Sequence, residues 1–496
     1  MRSLAAPILV ITVFIAQAIC LRDVTIDDVG ISYRYARHLA EGAGLTWNVD
    51  EPPVEGYSNL LWVLILAGAH RLGLDIDLTA RILGVLFGAV TLWLLALLIR
   101  RIAAGFRWWQ AAVPLLLVAL NPAWVMWHVS GLEIGLYGTA LTLIVLALTE
   151  PPSRRRWLLA LGVSVLILTR PEGSALAPIP IVVGWIADRR LTVRHRLGTY
   201  GIPLAMALVV AAGLITFRLA YYGYPLPNTV YAKFSTAFPS KGQVLQWIIW
   251  ATPFWLAWGY AIVSWRRFPE RSAATTALVL VVAQTVLVLP VNPVMNFLHR
   301  YLIAFLPLAV IAVPYALTRL ERLARWVPAA TAVALLGWSW QLWPPVVDNY
   351  HAQQYMHHCQ LCVTESLQSL PGRPRIALGD AGRIPYWTDL PATDEWGLCE
   401  RRIAHEGFSP SIILGSTDVF IAPVRTRGDT LWPVFGYDKI VMLQPRFREE
   451  FRLWLFCTAP PSERRESPNP FWYLDYALYM KTDFAARHGI PLPQDG

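Results

Sequence analysis

Asp27 and Asp28 stand side by side directly after the first apolar segment of a chain otherwise built for a lipid bilayer. A carboxylate beside hydrocarbon is costly to keep, so an acidic pair at such a position marks a candidate functional site and calls for a partner. The chemistry open to it is proton transfer at a membrane surface. The plainer reading is that Thr25 and Asp28 cap the helix that follows, a preference worth about 1 kcal/mol. One Asp suffices for a cap, so capping explains half of the pair.

The elements that must position this pair follow from composition. With 496 residues, 55% hydrophobic and 15% charged, the chain has the make-up of a polytopic membrane protein. The net charge of +9 sits in short arginine clusters between apolar runs, which is the pattern of cytoplasmic loops and not of nucleic-acid binding. The apolar runs predict spans over residues 4–21, 79–99, 109–128, 132–149, 157–170, 174–188, 198–221, 244–265, 273–290, 301–319 and 326–343. Residues 58–74 are short for a span, are interrupted by His70 and Arg71, and read as a re-entrant or interfacial helix.

These crossings, about eleven by the length rule, put the clusters at Arg100, Arg154, Arg189, Arg266 and Arg319 inside. The polar segments 130–133, 169–173, 221–241 and 292–300 then share the opposite face with the Asp pair. The N-terminal segment could pass for a cleaved signal peptide, but retention as the first transmembrane helix is favoured. Residues 28–42 carry Ile31, Tyr35 and Leu39 on one helical face and Arg34, Arg37 and Glu41 on another, which predicts an interfacial amphipathic helix inside a first periplasmic loop spanning 22–78.

The organisation predicted is a transmembrane domain, residues 1–344, and a periplasmic α/β domain, residues 345–496. Strand-like pieces in the second are 375–378, 418–423 and 439–443, with helical or aromatic stretches at 449–455 and 471–480. Cys359, Cys362, Cys399 and Cys457 all fall in this part, and in an exported domain four cysteines point to disulfides rather than to zinc. Three connectivities are open.

The run DDVGISYRYARHLAEGAGLTWN followed by VEGYSNLLW resembles the first periplasmic loop of GT-C glycosyltransferases. The similarity is greatest to the AftB-type mycobacterial terminal arabinofuranosyltransferases and their bacterial relatives. SGLE at 130–133, TRPEG at 169–173, YYGYPLPNTVYAK at 221–233 and HRYLIAFLP at 299–307 continue it in order, and GDAGRIPYWTDLPATDEWGL at 379–398 extends it more weakly. The resemblance implies a sugar donor linked to polyprenyl phosphate, such as decaprenyl-phosphoryl arabinofuranose, and a cell-envelope glycan or related acceptor at the periplasmic face of a bacterial inner membrane. It also implies an Asp of the first loop as catalytic base, which falls on Asp27 or Asp28.

A base facing a leaving lipid phosphate gives displacement with inversion, and the phosphate calls for positive charge from Lys233, Arg300 or Arg170. Each has a plainer alternative: snorkelling for Lys233 and Arg300, an ion pair with Glu172 for Arg170. Glu133 is a second acidic candidate or a helix-start residue, His299 a sugar contact or a structural histidine, and Asn228 a sugar contact or a turn residue. A divalent cation held by Asp27, Asp28 and Glu133 is a further option, although no compact ligand motif exists. Trp387 and Trp396 stack on glycan or belong to the core. The rival functions are a flippase for lipid-linked glycans and a non-catalytic envelope-assembly protein. The absence of internal repeats and the gathering of polar motifs on one face favour the enzyme.

Overall fold

The computed structural model describes residues 5–24, 26–102, 107–235, 241–263, 270–290, 293–427, 430–465 and 473–493. Thr25, Arg266 and Arg267 lie outside the described residues. The chain opens with α1 (Ala5–Cys20), α2 (Val29–Glu41), α3 (Leu60–Arg71), α4 (Ile76–Ile102), α5 (Trp108–Ala119) and α6 (Pro122–Val129). It continues with α7 (Ile134–Ala147), α8 (Pro152–Thr169), α9 (Gly173–Leu176), α10 (Pro178–Ala187), α11 (Val193–Tyr221) and α12 (Asn228–Ser235). Then come α13 (Lys241–Trp250), α14 (Thr252–Val263), α15 (Arg271–Leu287), α16 (Leu306–Ala309), α17 (Val313–Leu323) and α18 (Val327–Gln368).

Among the described residues, three helical segments are long and apolar enough to cross a membrane: Ile76–Ile102, Val193–Tyr221 and Asn296–Arg322. A fourth crossing arises if α5 and α6, bent by 54° at their junction, count as one broken span. The bend has a local cause. Asn121 caps α6 by accepting the Trp124 N–H at 3.0 Å, and Pro122 supplies its first turn, so a new helix starts where α5 stops. The other expected crossings fall on shorter apolar helices, among them α1, α7 and α15, or on segments outside these classes, so the expected eleven are not established by length; α3, expected not to cross, is also one of the shorter apolar helices.

The boundary placed at 344/345 falls within α18, which runs unbroken for 42 residues through Pro344 and Pro345. Beyond it lies a six-stranded sheet of β1 (Ile376–Leu378), β2 (Ala392–Asp394), β3 (Val419–Arg427), β4 (Thr430–Pro433), β5 (Phe451–Cys457) and β6 (Asp475–Lys481), in the order β2-β1-β3-β6-β5 with β4 on β3. β1 lies parallel to β2 and β3, while β6 runs antiparallel to β3 and β5. Helices α19 (Arg383–Thr388), α20 (Arg401–Glu406), α21 (Pro410–Ser416), α22 (Gly436–Met442), α23 (Pro445–Glu450) and α24 (Thr482–His488) surround it. Consecutive residues Val419 to Ala422 are fully buried, because β3 is covered on both faces.

Several expectations are corrected here. The apolar run 439–443 is helix α22 and not a strand, since a five-residue apolar run carries no period to decide between them. Of the stretches expected to be helical or aromatic, 449–455 is divided between the end of α23 and β5, and 475–480 lies in β6, while residues 471 and 472 lie outside the described residues. Only Cys362 and Cys457 of the four disulfide candidates are bonded, tying α18 to β5 across 95 residues, while Cys359 and Cys399 are buried thiols. A loop of that length is worth about 4–5 kcal/mol in the chain-entropy account. Finally, the polar face expected of α2 is divided, with Glu41 exposed and Arg34 buried. Arg34 is 1% exposed, and its guanidinium donates to the carbonyls of Trp47 (2.8 Å), Pro385 (2.5 Å) and Leu390 (2.9 Å).

The sheet domain buries several acids. Asp394 accepts the N–H groups of Trp396 (2.9 Å) and Cys399 (2.8 Å), yet burial outweighs them and pushes its carboxyl up to about 7. Burial also pushes Asp438, beside Glu395, up to about 7. Both values exceed the ordinary ~3.9 of an unfolded Asp, so the stability these groups contribute is complete below about pH 4 and is lost as pH rises through about 7. The thermal midpoint is therefore expected to climb between pH 8 and pH 5, and Asp438→Asn is expected to reduce that climb. A midpoint that falls over this range, equally in both proteins, would contradict the reading.

Candidate active site

Asp28 sits one residue before α2, where a capping side chain would bond the first turn, but it makes no such bond and pairs instead with Arg300. The capping explanation is thereby removed. The two residues line one pocket together with Ser32, Asn59, Glu133, Arg170, Lys233 and Tyr301, and Leu398 of the sheet domain closes a side. The polar groups come from element ends: the starts of α2, α3 and α7, the end of α8, and the turn after the kinked segment Pro293–His299. Helix ends leave backbone groups unsatisfied, which is why polar side chains collect there.

Within this pocket the charges are paired in a chain. Arg170 donates to Glu133 at 2.5 Å and to Glu172 at 2.5 Å, and Asn59 donates to the other oxygen of Glu133 at 2.8 Å. Arg170, Lys233 and Arg300 all lie over the ring of Tyr301, at 5.0, 5.6 and 5.7 Å from its centre. The attraction of each cation to the ring offsets part of the repulsion among the three. Burial pushes Asp28 up, but Arg300 beside it, helped by Lys233 and Arg383, outweighs this and holds its carboxyl below the usual Asp value.

Asp27 has a different fate. Its Oδ2 accepts the Gly382 N–H at 2.9 Å, and its Oδ1 accepts the Arg383 N–H and the Gln360 amide, each at 3.0 Å. Every oxygen is engaged by the sheet domain or α18, and burial outweighs these donors to raise its carboxyl. The backbones meet closely here. A Cβ on Gly30 would lie 2.2 Å from the Gly382 carbonyl carbon, and one on Gly382 would lie 1.9 Å from the Asp27 carbonyl oxygen.

Of the residues singled out in the sequence, Asp28, Glu133, Arg170, Lys233 and Arg300 meet in the pocket, and Glu172 joins through Arg170. Asn228 does not: its amide donates to the carbonyls of Gly397 (2.6 Å) and Leu398 (3.1 Å), fastening α12 to the sheet domain. His299 faces a neighbouring cavity between Trp247 and Trp250, its ring 5.5 Å from each. Trp396 packs on Phe435 and Tyr437, and Trp387 on His357.

Tyr301 and Asn59 are site residues that sequence reasoning passed over, although HRYLI and VEGYSN contain them. The divalent-cation option does not fit. The carboxylates of Asp27, Asp28 and Glu133 are held by different N–H donors, and among the described residues no group of three or more His, Cys, Asp or Glu could hold a metal ion.

Comparison with known proteins places the fold. Residues 348–456 match DUF8728, a domain of unknown function. No curated protein matches the sequence. Among solved structures, ArnT from Cupriavidus metallidurans bound to undecaprenyl phosphate superposes with a TM-score of 0.58 at 14% identity, over 95% of this chain and 97% of that one. Its apo state gives 0.59 at 13%, over 98% and 99%. Archaeoglobus fulgidus oligosaccharyltransferase AglB, in complex with an inhibitory peptide and a dolichol-phosphate, gives 0.52 at 10%, over 84% of this chain and 69% of that one. The chain has the GT-C fold.

The contact between Gly30 and Gly382 leaves no room for a methyl group. Gly30→Ala is expected to force the first loop off the sheet domain at a cost of about 1–3 kcal/mol or more. Hydrogen exchange at residues 382–386 should rise in that variant, and protection equal to the parent protein would refute the contact.

Proposed function

We propose that this protein is an inverting glycosyltransferase of the membrane that takes a sugar from a polyprenyl-phosphate donor, with Asp28 as the catalytic base. The observation that carries the reading is the single pocket in which a low-pKa carboxylate, Asp28, faces Arg300 and Lys233. Support comes from the fold, shared with a protein crystallised with undecaprenyl phosphate.

In the proposed step the acceptor hydroxyl oxygen bonds to the anomeric carbon as the bond from that carbon to the phosphate oxygen breaks. The hydroxyl proton passes to Asp28, and the bonding electrons leave on the polyprenyl phosphate. Arg300 links the two halves. Paired with Asp28 before substrate arrives, it is drawn to the incoming phosphate, which frees the carboxylate to accept a proton. Arg170, already held by Glu133 and Glu172, positions Tyr301 and the pocket wall rather than meeting substrate. Asp27 positions Asp28 by anchoring the residue before it. The periplasmic face of a bacterial inner membrane is the location this assigns, with a cell-envelope glycan as acceptor. The motif resemblance makes decaprenyl-phosphoryl arabinofuranose the first donor to try.

The two acids separate by experiment. Asp28→Asn is expected to lower kcat for transfer of a labelled sugar from the lipid donor by about 10²–10⁴-fold. Asp27→Asn keeps an oxygen acceptor and is expected to cost stability while leaving kcat within about tenfold. Full transfer by the Asp28 variant would sink the assignment, as would a larger kcat loss in the Asp27 variant. Because Asp28 titrates below the usual Asp range, the rate should show no acid limb between pH 5 and 7, both above the reference value of about 3.9.

A further inference from the structure

A cavity of about 320 Å³ lies between the first loop and the sheet domain, behind one wall of the active-site pocket. That volume falls within the roughly 300–1,000 Å³ of small-molecule sites. The wall consists of two segments that serve both spaces. Leu398 lines the pocket and Cys399 the cavity, while Gly56 lines the pocket and Val54 the cavity. The segments pack tightly, since a Cβ on Gly56 would lie 2.3 Å from the Cys399 Sγ. Two residues of chain span at most about 7 Å, so the cavity is a near neighbour of the pocket that holds Asp28.

Charge in this cavity is not balanced. Its lining holds Arg375, Arg401 and Arg402 against Glu51 and Glu400, an excess of one positive charge. Arg375 pairs with Glu51, and Arg402 pairs with Glu400 at 3.3 Å. Arg401 is left over. Its Nη2 donates to the carbonyls of Pro53 (2.9 Å) and Tyr222 (3.2 Å), and its guanidinium carbon lies 5.5 Å from the centre of the Tyr224 ring. Among the described residues its Nε and Nη1 hydrogen-bond no protein group, so a guanidinium fixed in place presents open donors. The neighbouring charges are within reach of a ligand: the Arg402 side chain is 53% exposed, Glu51 36% and Arg375 26%.

One surplus charge suits a monoanion. A phosphate monoester carries about −1.5 to −2 at pH 7 and would crowd Glu51 and Glu400, whereas a carboxylate carries one charge and matches a guanidinium fork. Around that point Glu51, Glu400, Thr393 and Ser416 offer acceptor oxygens and Arg375 and Arg402 offer donors, so hydroxyl groups in either role find partners. A compact ring with one carboxylate and several hydroxyls is a uronic acid. We propose that this cavity holds a uronic acid residue of the acceptor glycan, its carboxylate on Arg401 and Arg402 and its hydroxyls shared among Glu51, Glu400 and Ser416. Contacts there are remote from the reacting hydroxyl and hold the acceptor in place for it. The acceptor role rests on the transferase reading, but the site is tested by binding, which does not depend on transfer.

The test uses the full chain in nanodiscs, titrated with tetrasaccharides of galacturonate, glucuronate and mannuronate, their methyl esters, a phosphorylated maltotetraose and tetraglutamate. At least one acid tetrasaccharide is expected to bind about tenfold or more tightly than its neutral ester. Arg401→Lys keeps the charge and loses the fork, and Arg402→Gln removes a charge, so each should weaken that tetrasaccharide by about five- to tenfold. Glu400→Gln keeps the oxygen that caps α20 and removes a repelling charge, so it should tighten the same ligand by about two- to fivefold. Ser416→Trp fills the cavity mouth from the exposed end of α21 without touching a charge and should weaken it. Equal binding of acid and ester would overturn the site, and so would parent-like affinity in Arg402→Gln and Ser416→Trp, even where Arg401→Lys fails to fold. Tighter binding of the phosphorylated sugar than of every uronate would overturn the carboxylate, and displacement by tetraglutamate at equal concentration would overturn the glycan and leave an acidic-peptide site. Loss of transfer in Asp28→Asn with uronate binding intact is expected. Transfer retained there, with Arg402→Gln still weakening binding, would remove the base and leave the cavity standing.

Discussion

The seam between the start of α2 and the Gly382–Arg383 turn is the constraint on which the site depends. Two glycines let main chain lie on main chain, and Asp27 fastens them with three hydrogen bonds. Arg34, two turns along α2, repeats the attachment through carbonyls on both sides of the seam. A buried guanidinium held by neutral carbonyls is costly unless each is in place, so the joint either forms whole or is poor. Asp28 inherits its position from the residue before it. The sheet domain is in this sense part of the site, since it fixes the loop that carries the carboxylate and contributes Leu398 to the pocket wall.

Charge in the pocket is balanced before any substrate enters. Glu133, Arg170 and Glu172 form a closed set, and Asp28 with Arg300 forms another, with Lys233 and the Tyr301 ring between them. Three carboxylates face three cations, and balance of this kind keeps six ionised groups tolerable near apolar helices. It also makes the arrangement responsive, because an arriving anion competes for Arg300 and changes the partner of Asp28 without moving the backbone.

Much of this was legible in the sequence. Glu133, Arg170 and Arg300, from three of the polar segments, do meet Asp28 in one pocket, and the helix over 28–42 is present as α2. Short motifs at helix ends carry their own signal, because polar residues interrupting apolar runs are rare and need a reason. The division of labour between Asp27 and Asp28 was not legible, since it depends on partners 333 and 272 positions away. The strand expected at 439–443 is helix because an apolar run that short shows no period.

Helix α18 lines the cavity beside His299 at Leu342 and Val346 and, further along, holds Asp27 through Gln360. At 1.5 Å per residue, Leu342 and Gln360 are about 27 Å apart on one rod. The rod is a ruler laid across the molecule, and the disulfide from Cys362 to Cys457 pins its far end to the sheet. The proline pair at 344 and 345 lies within the rod, with Pro345 at the cavity itself. A bend there would tilt the graduations for both ends at once, so cavity width and the seating of the carboxylate loop are read off the same scale.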